Sequence, residues 1–219
     1  MKSPEYYSYA RKDIVELATS TGSLDKVLDV GCGYGYTGEL LKSSGAMVVD
    51  GIEFVSDACE EAKRRLDNIY QGSAEDADLI SNLGSYDCII CADVLEHLTD
   101  PWTTLTLLRD HLRKNGRLVC SIPNIRYFKV ILKLLLFGDW KYQEAGIMDK
   151  THLRFFTRKS IELMFKQSGY ETTIIRQKIR RTSAVFNFIT FGIFSDFFPM
   201  KFYVIARLAD NAERKNLTK

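Results

Sequence analysis

Histidine is scarce in this sequence, with three in 219 residues. Any chemistry that needs an imidazole is confined to His97, His111 or His152. Neither sign of charge is in excess: 30 Lys and Arg against 28 Asp and Glu give a net charge of +2, so composition gives no general reason to expect nucleic acid as a partner. Cysteine is sparse and odd in number. Cys32, Cys59, Cys88, Cys91 and Cys120 lie in or beside apolar runs, and with no leader segment ahead of them they are expected to be reduced thiols in a cytoplasmic protein. Cys88 and Cys91 have C-x-x-C spacing, but no second pair completes a zinc site and "YDCIICADV" reads as a buried strand, so no metal site is expected there. A run long enough to span a bilayer is also lacking. The two longest apolar stretches, "FKVILKLLLFGDW" and "AVFNFITFGIFSDFFPM", are too short and too interrupted.

With 46% of its residues hydrophobic, the chain has enough core for one domain, 1–219. Strand and helix signals alternate along it. "KVLDV" is a short β-rich run ending at glycines, followed by a helical "TGELLKSSG" closed by Gly45. "MVVDGIE" is a second strand and "SDACEEAKRRL" a helix with Ser56 as its N-cap. "YDCIICADV" is another strand, "PWTTLTLLRDHLRKNG" a helix from Pro101 to Gly116, and "RLVCSIP" a further strand. This pattern predicts a parallel sheet covered by helices on both faces, with ligands beyond the carboxyl ends of the strands. The tail departs from it, because "YETTIIRQ" and "KFYVIARL" are two strands separated by a segment holding six of the thirteen Phe residues. Between Lys150 and Arg181 there are nine Lys or Arg against Glu162 and Glu171, a locally basic stretch.

The stretch "LDVGCGYGYTGEL" admits two divisions. Gly33, Gly35 and Gly38 match the G-x-G-x-x-G of a dinucleotide site, and Glu53 follows at the expected distance. Asp29-x-Gly31-x-Gly33-x-Gly35 is the other division. Pyrophosphate is bound by glycine amides at a helix N-terminus, and Asp29 at the lip of the turn is a poor neighbour for it. A cationic ligand is suited by Asp29. A short-chain dehydrogenase would also need Tyr-x-x-x-Lys, and none of the eleven tyrosines has Lys four positions later. On that division Gly38 is an incidental helix residue.

"VLDVGCGYG", "GIE", "GSAED", "YDCIICADVLEHLTDP" and "LRKNGRLVCSIPN" fall in the order and spacing of class I S-adenosylmethionine-dependent methyltransferases, which the region from about 27 to 124 resembles. The resemblance implies a Rossmann-like α/β fold, mostly parallel with a C-terminal antiparallel strand. It also implies S-adenosylmethionine as cofactor and S-adenosylhomocysteine as product. Gly31, Cys32, Gly33 and Gly35 with Asp29 would wrap the methionine half, Glu53 would bind the ribose, and Phe54 would lie against the adenine. Ser73, Ala74 and Glu75 would sit at the adenine edge, with Ser73 in place of a frequent Asp. Asp93 and Val94 would line the methionine side, and Arg11 would meet the methionine carboxylate.

Methyl transfer depends on positioning, and an oxygen acceptor also benefits from a base near neutrality. His97, just past the fourth strand, is one candidate base, with a loop-shaping role as the alternative. His152, in "DKTHLRFFT" with Asp149, Lys150 and Arg154, is the other, before a helix that Thr157 caps. Asp93-x-x-Glu96-His97 resembles a pattern of ubiquinone-pathway O-methyltransferases, in which a metal assists the acceptor hydroxyl. The two apolar stretches are read as cap segments near 124–152 and 182–200. Their alternative is a membrane surface or a lipid tail, and hence a peripheral position at the inner face of the membrane. The acceptor is expected to be a small molecule, a glycan or a lipid-linked sugar, methylated on oxygen. The remaining alternative is a non-catalytic cofactor-binding partner, like the methyltransferase-like proteins associated with methionine biosynthesis.

Overall fold

A computed structural model describes residues 9–176 and 194–209. An amphipathic helix α1 (Lys12–Thr19) leads into β1 (Lys26–Val30), α2 (Tyr36–Ser43), β2 (Val48–Glu53), α3 (Ser56–Ala62), β3 (Asn68–Gln71), α4 (Ala77–Ser81) and β4 (Tyr86–Ala92). A 3-10 turn (Leu95–His97) follows, then α5 (Pro101–Arg109), β5 (Leu112–Pro123), α6 (Phe128–Phe137), α7 (Arg158–Gln167), β6 (Tyr170–Arg176) and β7 (Lys201–Leu208). The seven strands form one sheet in the order β3-β2-β1-β4-β5-β7-β6. All neighbours pair in parallel except β7, which runs antiparallel to both β5 and β6. The expected mostly parallel sheet with an antiparallel C-terminal strand is therefore present.

Alternation along the strands separates two cores, one on each face. Leu28, Ile89, Cys91, Leu118 and Cys120 lie in one. Val27, Cys88, Ile90 and Val119 lie in the other, under α1 and α2. Each fully buried aliphatic side chain contributes roughly 1.5–3 kcal/mol. Cys88 and Cys91 thus belong to opposite cores, which accounts for their inability to act as a ligand pair. Burial raises both thiols, Cys88 to about 12.

Helix ends follow local chemistry. Asp100 accepts from the Thr103 amide with Pro101 in the first turn, and Thr157 forms a reciprocal capping box with Ser160 at α7. Two boundaries differ from expectation. Helix α5 stops at Arg109, and Gly116 lies within β5, where the register shifts against β4 between Tyr86 and Cys88. A Cβ at Gly116 would meet the Tyr86 carbonyl at 3.0 Å and the Arg113 carbonyl at 2.9 Å, so this glycine serves a bulge and not a helix stop. Ser56 opens α3 as its first residue, and Val55 is the N-cap with no side-chain cap bond.

Gly38 is not incidental. A Cβ there would stand 2.2 Å from Leu66 Cδ2 and 3.0 Å from Val49 Cγ1, so α2 can lie this close to the sheet only without a side chain at that position.

Candidate active site

The strand order reverses between β1 and β4, and the crevice beyond their carboxyl ends collects most of the expected residues. Gly31, Gly33 and Gly35 have φ of 69°, 56° and 82°, the left-handed conformations that glycine adopts without steric cost. A Cβ at Gly31 would come within 2.9 Å of Val94 Cγ2, which brings the β1 and β4 turns together.

The amides of this turn are bonded internally. Gly31 and Cys32 both donate to the Ile52 carbonyl at 2.8 and 3.1 Å, and Gly35 donates to the Cys32 carbonyl at 2.9 Å. Gly33 donates to Glu53 Oε2 at 2.9 Å. Glu53 also accepts from the Phe54 and Val55 amides through Oε1, each at 2.9 Å. Three backbone donors therefore fix this nearly buried carboxylate at the end of β2, and Oε2 retains acceptor capacity. A pyrophosphate needs amides directed at it. Here they are directed into the protein, and the charges beside the turn are negative.

Asp29 is buried, and its Oδ2 lacks a hydrogen-bond partner. Burial, reinforced by Glu53 and opposed by Arg11, raises its carboxyl to about 7. A buried, unpartnered acidic oxygen beside a glycine turn suits a cationic ligand. Phe54 is 73% exposed, so it is not a core residue and its ring is available at the crevice. Cys32 is buried and its thiol is raised by burial and by Asp29, leaving it unreactive. Ser73 accepts from the Glu75 amide, and Glu75 Oε1 accepts from the Asp100 amide at 2.7 Å. Ala74 packs against the core.

Asp93 follows β4 with φ 56°, the single non-glycine among the described residues with positive φ, a strained conformation of the kind that clusters at functional sites. Its Oδ2 accepts from Arg11 at 2.5 Å and Lys201 at 2.9 Å, and its Oδ1 accepts from Ser121 at 2.6 Å. Burial alone would raise this carboxyl, but Lys201 and Arg11 together hold it below its ordinary value. Arg11 also forms a bidentate pair with Asp13, at 3.0 and 2.9 Å, and Tyr203 donates to Asp13 at 2.8 Å. Burial of Asp13 is outweighed by the hydrogen bond and charge of Arg11, so its carboxyl lies at about 2. Arg11 is thus engaged by two protein carboxylates, Asp13 and Asp93, and ties the start of α1 to the crevice.

His97 and His152 meet, with ring centroids 4.8 Å apart at 74°. The amides of Leu153 and Arg154 both donate to the Glu96 carbonyl, at 2.9 and 3.0 Å, and so clamp the His152 loop onto the turn after β4. His97 Nδ1 lies 3.1 Å from the Thr151 carbonyl and His152 Nδ1 3.0 Å from the Ile147 carbonyl. As donors there, both rings present Nε2 as the proton-accepting nitrogen. Beside them is Glu96, 1% exposed, with neither carboxylate oxygen hydrogen-bonded and Oε1 4.0 Å from His152 Nε2. Burial and the charge of Asp93 push its carboxyl well above the ordinary range. Glu96, His97 and His152 form the one set among the described residues that could hold a metal ion.

The polar cluster expected around His152 is dispersed. Asp149 accepts from Thr151, Lys150 pairs with Glu144, and Arg154 binds the Thr99 carbonyl. His111 stands beyond the end of α5, with Nδ1 3.0 Å from the Gly84 carbonyl, away from the crevice strands' carboxyl ends. Glu96, Lys201 and Ser121 complete the site. Of these, Glu96 stands in the Asp-x-x-Glu-His pattern, whereas Lys201 and Ser121 have no local signal.

Residues 5–174 match the family described as methyltransferase domain. The chain belongs to that family. Its fold is also that of solved S-adenosylmethionine-dependent methyltransferases. One from Archaeoglobus fulgidus superposes with a TM-score of 0.63 at 18% identity, covering 88% of this chain and 93% of that one. One from Clostridium acetobutylicum superposes with a TM-score of 0.64 at 14% identity, covering 94% and 95%. Among curated relatives, the ubiquinone biosynthesis O-methyltransferase of Aromatoleum aromaticum is 29% identical over 155 residues, 67% of this chain and 64% of that protein. The enzyme of the same name from Haemophilus ducreyi is 33% identical over 124 residues, 52% of each. The chain thus spans between about half and under two thirds of these two proteins. The domain it carries is a methyltransferase domain, and a glycine turn beside the buried Asp29 suits a cationic cofactor.

Proposed function

We propose that this methyltransferase domain methylates a hydroxyl oxygen, with the imidazoles of His97 and His152 facing the acceptor and no metal required. The observation that carries this reading is the buried carboxyl of Glu96 beside two imidazoles whose Nδ1 atoms lie against backbone carbonyls. An acceptor hydroxyl must lose a proton as it becomes the nucleophile, and an Nε2 held in the right tautomer can take it. Burial and the charge of Asp93 push the Glu96 carboxyl up, which disfavours a negative charge there that would oppose formation of the oxyanion. When bound, the cofactor supplies an electrophilic methyl group on a sulfonium. Asp29 and the Gly31–Gly35 turn would hold its cationic half, Glu53 its ribose hydroxyls, and Phe54, Ala74, Glu75 and Ser73 the adenine. Asp93 and Val94 would line the methionine side. Arg11 acts as a positioning residue, closing α1 over that side through Asp93.

The names of the curated relatives favour a ring hydroxyl on an apolar acceptor. A row of aromatic side chains fits that choice, since Trp140 and Tyr142 lie 5.5 and 6.4 Å from Phe155, which lies 6.3 Å from His152. A lipid-linked sugar is the second reading, favoured by the exposed faces of Trp140 and Tyr142. S-adenosylhomocysteine release across a panel of catechols, prenylated phenols and lipid-linked sugars decides between them. Turnover of the phenols supports the first reading, and turnover confined to sugars replaces it with the second. Tight cofactor binding with no turnover on any acceptor overturns both in favour of a non-catalytic partner. Activity abolished by a chelator and restored by a divalent cation would make Glu96, His97 and His152 ligands and refute the metal-free base. The whole chain, 1–219, is taken as one domain, with residues 124–152 covering the acceptor. The second expected cap, 182–200, lies largely outside the described residues.

A further inference from the structure

Helix α6 has ten residues, eight of them apolar, and none is buried. It forms because Leu-rich sequence favours helix, and it ends where Gly138, at φ 62°, takes a left-handed cap and donates to the Leu134 carbonyl. Its root is held: Phe128 packs on Tyr127 and on Phe198, and Arg126 lies over the Phe197 ring. Its outer turns are not. Leu135, Leu136 and Phe137 are 73%, 68% and 78% exposed, and Leu132 is exposed with them. Helical spacing puts Leu132, Leu135 and Leu136 on one contiguous face, with Lys129 and Lys133 along its edge. From Ile125 to Gly138 the sequence holds Arg126, Lys129 and Lys133 and no acidic residue. Phe137, Trp140 and Tyr142, all exposed, add aromatic side chains at the same end.

We propose that α6 lies on an anionic lipid surface, with Leu132, Leu135, Leu136 and Phe137 at the headgroup–acyl boundary and Lys129 and Lys133 on the lipid phosphates. Charge selects this occupant. A second copy of the chain would bring the same lysines of two α6 helices together with no acid between them, whereas lysines bordering an apolar face are the pattern of an interfacial helix. Among the described residues no helix is long and apolar enough to cross a membrane, and the contact proposed for α6 is a peripheral one. Its place is informative, because the aromatic row from Trp140 through Phe155 to His152 connects the outer end of α6 to the crevice. The proposal goes beyond the acceptor assignment and stands whichever acceptor is turned over.

The test is flotation of the full chain with phosphatidylcholine vesicles, with and without phosphatidylglycerol. A W102F variant leaves Trp140 as the single indole, because the chain has two Trp. Expected results are flotation with anionic vesicles only, a blue-shifted Trp140 emission, and loss of both in high salt. Removing two basic contacts in K129A/K133A should weaken binding roughly 30-fold, and L135E/L136E should abolish it. Because α6 contributes no buried residue, these variants should keep their circular dichroism and cofactor affinity. Wild-type protein that stays in the aqueous phase overturns the proposal, as does vesicle binding that the α6 variants leave unchanged. A salt-insensitive dimer that L135E/L136E dissociates would assign the face to a second copy and overturn it equally.

Discussion

Replacing Asp29 with Asn tests the central electrostatic feature of the site. The carboxyl ionises at an ordinary 3.8 when solvated and at about 7 in the fold. Over that window the folded state binds more protons than the unfolded one, so this residue's contribution makes stability fall as pH rises from about 4 to 7. Three units at ~1.36 kcal/mol each give a penalty on the order of 4 kcal/mol above pH 7. Asn removes the penalty but buries an amide where Oδ2 has no partner, which costs about 1–3 kcal/mol. D29N should therefore be more stable than the parent by ~1–3 kcal/mol at pH 8 and less stable by a similar amount at pH 4. Urea melts at the two pH values read this directly. Cofactor affinity should move the opposite way, rising with pH in the parent as Asp29 ionises and staying flat in D29N, as calorimetry can show. A stability difference that is the same at pH 4 and pH 8 would refute the reasoning.

Glu53→Ala removes the acceptor of three amides, one of them from the glycine turn, so cofactor affinity should fall by about 1–3 kcal/mol; unchanged affinity in calorimetry refutes the ribose role. Gly38→Ala should destabilise by about 1–3 kcal/mol through overpacking against Leu66 and Val49, against the ~1 kcal/mol that Ala normally adds to a helix, and a raised melting temperature would contradict the close packing. H97A and H152A should each lower kcat by about 100-fold or more while leaving cofactor affinity unchanged; a loss confined to KM would assign them to acceptor binding alone. Calorimetry with NAD should show no binding, because the turn amides are already bonded within the protein.

The parts of this site that were legible in the sequence are those whose constraint is local. A turn needing three left-handed residues requires glycines, and Gly31, Gly33 and Gly35 announce it. Strands β1, β2 and β4 are apolar runs because both their faces are covered. Strand β3, "NIYQ", has no such run, since it lies at the sheet edge with exposed ends, and periodicity does not reveal it. The end of α5 was misplaced because the bulge at 113–116 borrows the Lys-Asn-Gly signal that commonly closes a helix. Gly38 was misjudged for a related reason, because its conformation is ordinary and only the approach of Leu66, beyond the end of α3, and of Val49 on β2 makes it necessary.

The charged network had no local signal, and topology explains why. Lys201 reaches Asp93 because β7 inserts antiparallel beside β5, a choice made by sheet pairing between segments 108 residues apart in Lys201 and Asp93. The histidine pair depends on even less: two main-chain amides, of Leu153 and Arg154, on one carbonyl, that of Glu96. Main-chain bonds carry no side-chain code, so His97 alone reads equally well as a loop-shaping residue. The buried carboxyl of Glu96 lies beside the two histidines, with neither oxygen hydrogen-bonded and Oε1 4.0 Å from His152 Nε2. A loop-shaping cluster would be expected to hydrogen-bond it, because a buried carboxyl without a hydrogen bond opposes folding. A buried carboxyl left without a hydrogen bond at the crevice supports the proposal that Glu96, His97 and His152 are arranged for a ligand.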